Sequence, residues 1–125
     1  MARLERDPDI SGPLVQGFRE GGFAVDGQVN RSVLLTPERA AHWDSPALAD
    51  LTPELIVPLL TIVPIPEFLL LGTGPTLTFP PRPFVRALEE RGIGIEVMDS
   101  RAAARTWGML RSEERWIVAA IMPLA

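Results

Sequence analysis

Phe68-Leu69-Leu70-Leu71, closed by Gly72, is the segment that most limits how this chain can fold. A continuous apolar run ended by glycine suits a strand covered on both faces. After a Pro-rich loop, Arg82 to Arg91 reads as a helix. Phe84, Val85 and Leu88 form its apolar stripe, and Gly92 suits the C′ position. Ile93, Ile95 and Val97 then alternate as a second strand. Strand, helix, strand implies a right-handed crossover and parallel pairing of 68–71 with 93–98. Asp99 or Ser100 caps a second helix running to about Leu110, with Ala103, Trp107 and Leu110 on one face. Trp116 to Met122 forms a last strand, stopped by Pro123.

The first half carries turn signals. Leu14 to Phe18 is a short apolar-rich segment, and Gly21-Gly22 turns the chain. Asp26-Gly27 stands between alternating hydrophobics and predicts a type I′ turn, because both central residues there need positive φ. An antiparallel hairpin is therefore expected over 22–35, with Val29, Val33 and Leu35 on alternate positions. Thr36-Pro37 closes that strand. Residues 37–51 are mixed and include His42 and Trp43, a structural pair by this reading. Thr52-Pro53-Glu54 predicts a short helix over about 53–60, with Thr as cap, Pro at the first position and Glu at the positive end of the dipole. Asp7-Pro8-Asp9 and Ser11-Gly12-Pro13 predict a flexible arm over 1–12, ahead of a single domain over 13–125. At 125 residues, one α/β domain is expected, a mixed sheet with helices against it.

Several function classes drop out. The net charge is −4, the pI is about 5.0 and there is no basic block, so no nucleic-acid partner is expected. All twelve basic residues are Arg, which removes Schiff-base and Walker-lysine chemistry. The absence of Cys removes disulfides and thiolate sites. His42 is the only histidine, so a His-based zinc site lacks partners. No cofactor and no metal are expected. The apolar stretch from Leu55 to Gly72 is interrupted by Pro58, Pro64, Pro66 and Glu67; it predicts a buried helix, a connector and a strand, with no membrane span. Peripheral membrane association stays open. The first residues carry acids and no apolar h-region, which speaks against a signal peptide and for a cytoplasmic protein.

Two clusters could carry chemistry. Gly72-Thr73-Gly74 follows the buried strand, where ligands sit in open α/β sheets, and glycine lets a backbone approach a ligand. The phosphate fingerprint is not completed there, since Pro75, Thr76 and Leu77 follow, and a tight turn is the plainer reading. The second cluster is Glu96, Asp99, Ser100, Arg101 and Arg105. Arg101 and Arg105 are i, i+4 neighbours in the first turns of a helix, where the dipole disfavours cations. Either Glu96 and Asp99 compensate them in an internal ion-pair cluster, or an anion does, opposite Gly72–Gly74.

The segments Leu71-Gly72-Thr73-Gly74, Gly92 through Thr106 and Val118 through Pro123 resemble a domain family of unknown function. That family includes the mitochondrial NADH:ubiquinone oxidoreductase (complex I) assembly factor 3. The resemblance spans about residues 12–123 and implies a single compact three-layer α/β domain: a central mixed sheet, flanking helices and, here, an N-terminal β-hairpin. It implies no catalytic residues. It marks Gly72, Thr73, Gly74, Glu96, Asp99, Arg101, Arg105 and Thr106 as candidate surface or site positions. This chain departs from it with Trp107-Gly108 where relatives often carry Tyr-Asn, and with Ser100 where they carry Thr. The function expected is that of a non-enzymatic protein-interaction or assembly-factor-like module with protein partners. The competing reading is an anion- or nucleotide-binding enzyme using the Gly72–Gly74 crevice.

Overall fold

The computed structural model describes residues 12–125. The arm expected over 1–12 lies, up to residue 11, outside the described residues. The strands are β1 (Val15–Arg19), β2 (Gly22–Val25), β3 (Gln28–Asn30), β4 (Val33–Leu35), β5 (Ala40–His42), β6 (Phe68–Gly72), β7 (Gly94–Met98) and β8 (Val118–Ile121). The helices are α1 (Val57–Leu60), α2 (Arg82–Glu90) and α3 (Ser100–Ser112).

Leu69, Leu70 and Leu71 are fully buried because β6 lies inside a five-stranded mixed sheet of order β5-β4-β8-β6-β7. Alternate side chains leave the strand on opposite faces. Leu69 and Leu71 pack with Phe84 and Leu88 of α2 and with Ile56, Leu59 and Leu60. Leu70 packs on the other side with Ala103, Ala104 and Trp107 of α3. β6 and β7 pair in parallel, Leu69 opposite Ile95 and Leu71 opposite Val97, as the crossover demands. β4 runs antiparallel to both β5 and β8. The fold is thus mixed α/β with helices on both faces, as the sequence predicts.

The hairpin expected over 22–35 is only partly realised. Asp26 and Gly27 have φ of 50° and 81° and join β2 to β3 in a tight antiparallel pair. Pairing ends at Asn30, however, and Val33–Leu35 belongs to the central sheet. Burial explains the break. Val33, Leu34 and Leu35 are all buried and need cover on two faces, whereas Gln28 and Val29 are exposed. The Ser32 hydroxyl donates to the Trp43 carbonyl at 2.6 Å and pins the crossing. β1, β2 and β3 form a separate three-stranded antiparallel sheet, whose Phe23 and Val25 cover the α3 side of the core.

The helix expected over 53–60 is instead a 3₁₀ turn, Pro53–Ile56, followed by the one-turn α1. Pro58 has no N–H, so an α-type bond back to Glu54 cannot form and the helix cannot run through. Thr52 flanks the turn in extended backbone without a side-chain capping bond. β5 falls within the stretch that reads as mixed from sequence.

The Asp26-Gly27 turn provides a direct test. A Cβ on Gly27 meets nothing within 4 Å, so only backbone conformation resists substitution. Gly27→Val is expected to cost about 1–2 kcal/mol in urea unfolding, because a β-branched residue resists positive φ. Gly27→Asn should cost a few tenths, since Asn tolerates that region.

At the other end of β6, Glu67 clamps the chain just ahead of β8. Arg115 donates to its carboxylate through Nε and Nη2 at 2.8–3.2 Å, and the Trp116 N–H donates to Oε2 at 3.1 Å. The Arg115 hydrogen bond, with that of Trp116, holds the Glu67 carboxyl below its ordinary value of 4.5. A depressed carboxylate stabilises the fold above its unfolded pKa and loses that contribution as pH falls through the folded pKa. Both side chains are well exposed, so the effect is small. Wild type and Glu67→Gln should therefore converge in melting temperature below about pH 4 and separate above pH 5, wild type being the more stable.

Candidate functional site

Gly72, Thr73 and Gly74, at the C-terminal end of β6, pack against the N-terminus of α3, and all three are buried. A Cβ on Gly72 would stand 2.9 Å from Ser100 Oγ, 3.0 Å from Ser100 Cα and 3.1 Å from Ala103 Cβ. Glycine is therefore what lets α3 lie directly on β6. Ser100 is fully buried and works in two directions. Its hydroxyl donates to the Met122 carbonyl and accepts from the Gly74 N–H, each at 2.7 Å. The Ser100 N–H donates to the Gly74 carbonyl at 2.8 Å, and the Met122 N–H to the Gly72 carbonyl at 2.9 Å. Thr73 completes the knot: its N–H donates to the Met98 carbonyl, its hydroxyl donates to the Thr76 carbonyl, and it accepts from the Thr78 N–H. The backbone donors that an anion at Gly72–Gly74 would need are thus already engaged within the protein. Here the strand end is a packed junction, not the open crevice that the glycines suggest.

The charged members of the second cluster lie apart from this junction. Asp99 caps α3, accepting from the Ala102 N–H at 2.9 Å. Glu96 is exposed on β7 and forms no ion pair with any described residue. The internal cluster of Glu96 with Arg101 and Arg105 is absent among the described residues: Glu96 stays exposed on β7, an edge strand, and needs no partner there. Arg101 and Arg105 are exposed on α3 and turn toward β1. Arg101 stacks over the Phe18 ring at 4.9 Å, and Arg105 borders a cavity of about 150 Å³ with Val15–Phe18. Thr106 is half-buried between the two faces. His42 is exposed, its Nε2 lying 3.5 Å from Asp44 Oδ1, while Trp43 is buried in the core.

A second feature lies on the opposite face of the sheet. Between α2 and β7 runs a groove of about 450 Å³, lined by Phe79, Pro80, Arg82, Val85, Arg86, Glu89, Ile95 and Val97. Its floor is aliphatic. Phe79 forms its wall while 77% exposed, and Leu77 on the same loop is 54% exposed. Arg82 and Arg86, one helical turn apart, make no ion pair with any described residue. None of these positions stood out in sequence as a site. The alternation of Ile95 and Val97 marks a half-buried strand, but only the strand order places that strand at an edge.

A profile of the family described as "Protein of unknown function (DUF498/DUF598)" matches residues 15–122. An uncharacterized protein of Rhodobacter capsulatus is 30% identical over 125 residues, covering 95% of this chain and 92% of the relative. NADH dehydrogenase (ubiquinone) 1 alpha subcomplex assembly factor 3 of Bos taurus is 29% identical over 121 residues, 96% of this chain and 65% of the relative. The Danio rerio protein of that name is 28% identical, and the match covers 66% of it. The chain thus spans about two thirds of the length of these assembly factors. A crystal structure of a Bordetella parapertussis protein superimposes with a TM-score of 0.81 at 32% identity, covering 93% of this chain and 99% of the other. A solution structure from Bordetella pertussis, described as an Mth938-like domain, gives a TM-score of 0.80 at 28% identity, covering 99% and 94%.

Proposed function

This chain belongs to the DUF498/DUF598 family of unknown function, and from that premise we propose that it is a non-enzymatic protein-interaction module that acts, like an assembly factor, by holding a protein partner. The observation that carries this reading is the surface around Phe79. An aromatic ring and Leu77 stand largely in solvent beside an aliphatic groove whose charged lining is Arg82, Arg86 and Glu89. Apolar surface kept in water next to a shaped groove marks an interaction site. The relatives named as assembly factors support the same class. Arg101 and Arg105 on α3, with the flanking Glu96 and Asp99, form the second face proposed for contact, and the Gly72–Gly74 junction fixes how α3 presents it. No helix of the described residues is long and apolar enough to cross a membrane. The contact proposed is made through the protein's surface, and the cytoplasm is the compartment proposed for it.

The test is affinity capture of the tagged chain from its own cells, beside Phe79→Ser. Phe79 is mostly exposed, so the variant should keep the wild-type melting temperature. A protein recovered with wild type and depleted about tenfold with Phe79→Ser is the expected result. Equal recovery would move the contact to the α3 face, where Arg101→Glu with Arg105→Glu tests it. No specific protein with either would remove the interaction reading.

A further inference from the structure

The outer edge of β7 has no partner strand among the described residues. Natural edges are blunted by short strands, prolines, bulges or inward charges. β5, the opposite edge of the same sheet, has three residues. β7 has five, contains no proline and pairs with β6 without a register shift. The Gly94 N–H donates to the Glu67 carbonyl, and the Met98 carbonyl accepts from the Thr73 N–H. Alternation along a parallel strand then turns the N–H and C=O of Ile95 and Val97 to the open side. Their side chains floor the groove. Backbone hydrogen-bonding groups and an apolar floor are thus presented together, which is the arrangement that receives an added strand.

Resting on the interaction reading above, we propose that an extended segment of a partner protein adds to the sheet alongside β7, with an apolar side chain and a carboxylate on alternate, groove-facing positions. Charge favours the carboxylate. The groove is lined by two arginines, Arg82 and Arg86, and one acid, Glu89, and neither arginine forms an ion pair with any described residue. They are separated by about 6 Å along α2, close to the roughly 6.7 Å between alternate residues of a strand. Alternate residues of the added strand share the groove-facing side, so one presents its carboxylate to the arginines and its apolar neighbour two residues away covers Ile95 and Val97. A second copy of this chain is a poor occupant. Full antiparallel pairing of two β7 strands would centre on Glu96 and set two carboxylates opposite each other, in a chain of net charge −4.

The probe is a phage-displayed library of random nine-residue peptides selected on the purified chain. Selected peptides are measured by fluorescence anisotropy against wild type, Val97→Pro and the pair Arg82→Glu with Arg86→Glu. The Val97 N–H faces away from β6, so proline there removes an outward donor and leaves the β6 ladder intact. The expected result is selection of proline-free alternating peptides bearing carboxylates. Binding should weaken about tenfold or more for Val97→Pro and for the charge reversal. Amide exchange on the wild-type protein reads the same event without relying on a variant. Ile95 and Val97 amides should exchange readily in the free chain and become protected by the peptide. Failure to select peptides, unchanged affinity for a folded Val97→Pro, or protection elsewhere than β7 would overturn strand addition. So would a concentration-dependent dimer that Val97→Pro abolishes, since that assigns the edge to a second copy. A cellular partner held equally by wild type and folded Val97→Pro would leave the interaction reading standing and remove this one.

Discussion

Trp107→Ala is expected to destabilise the protein by about 3–5 kcal/mol, the range for removing a large aromatic side chain from a packed core. Trp107 is fully buried between α3 and the two sheets, among Phe23, Val25, Leu70 and Ile121. Its indole Nε1 donates to the Pro13 carbonyl at 2.8 Å, tying the described N-terminal segment to α3. The truncation therefore leaves both a cavity and an unpaired carbonyl. Native stabilities are commonly about 5–15 kcal/mol, so the variant should be marginally folded at best. Trp107→Phe separates the two parts. It keeps most of the volume and loses the hydrogen bond, and should cost about 1–3 kcal/mol by urea unfolding.

The second large effect is expected at Gly72. Gly72→Val places atoms against the backbone and side chain of Ser100 and against Ala103, so α3 must lift from β6. Overpacking costs about 1–3 kcal/mol, and losing the Ser100 hydrogen bonds to Gly74 and Met122 adds a comparable amount. A loss of about 3 kcal/mol or more is the expected outcome in equilibrium unfolding. Gly108→Ala, on the helix that Gly72 packs against, is the control. A Cβ there meets nothing within 4 Å, so the substitution should stabilise by about 0.5–1 kcal/mol through helix propensity. If both glycines responded alike, close approach at Gly72 would not be the reason for glycine there.

The second half of the chain is readable from sequence because its signals are local and agree with one another. Leu69 to Leu71, Gly92, the alternation of Ile95 and Val97, and Asp99 at the start of α3 each mark an element without reference to distant residues. The first half misleads where local and tertiary demands diverge. Val33 and Leu35 alternate as though they continued the hairpin, yet with Leu34 buried as well, the segment needs two covered faces and crosses to the other sheet. Pro58 breaks a helix whose start looks well formed.

The site is less readable than the fold. Gly72–Gly74 carries the glycines of a ligand-binding turn, but glycine there admits Ser100 and α3 instead of a ligand. Close approach of Ser100 and Ala103 requires glycine at Gly72, and no local pattern encodes that neighbour. Glu96 looks like a residue needing a partner only if its face is covered, and strand order decides that. The same strand order makes Ile95 and Val97 an edge, and brings Arg82, Arg86 and Phe79 beside them. No local pattern encodes strand order, since it is set by which buried surfaces complete each other.

The most direct test of the interaction account is photo-crosslinking in the native cell, with benzoylphenylalanine in place of Phe79 and, separately, in place of Arg105. The first reports on the groove between α2 and β7, the second on the α3 face. The account predicts a discrete protein adduct from position 79 that disappears when Arg82→Glu and Arg86→Glu are added. No protein adduct from either position, in a chain of normal abundance and melting temperature, would contradict it.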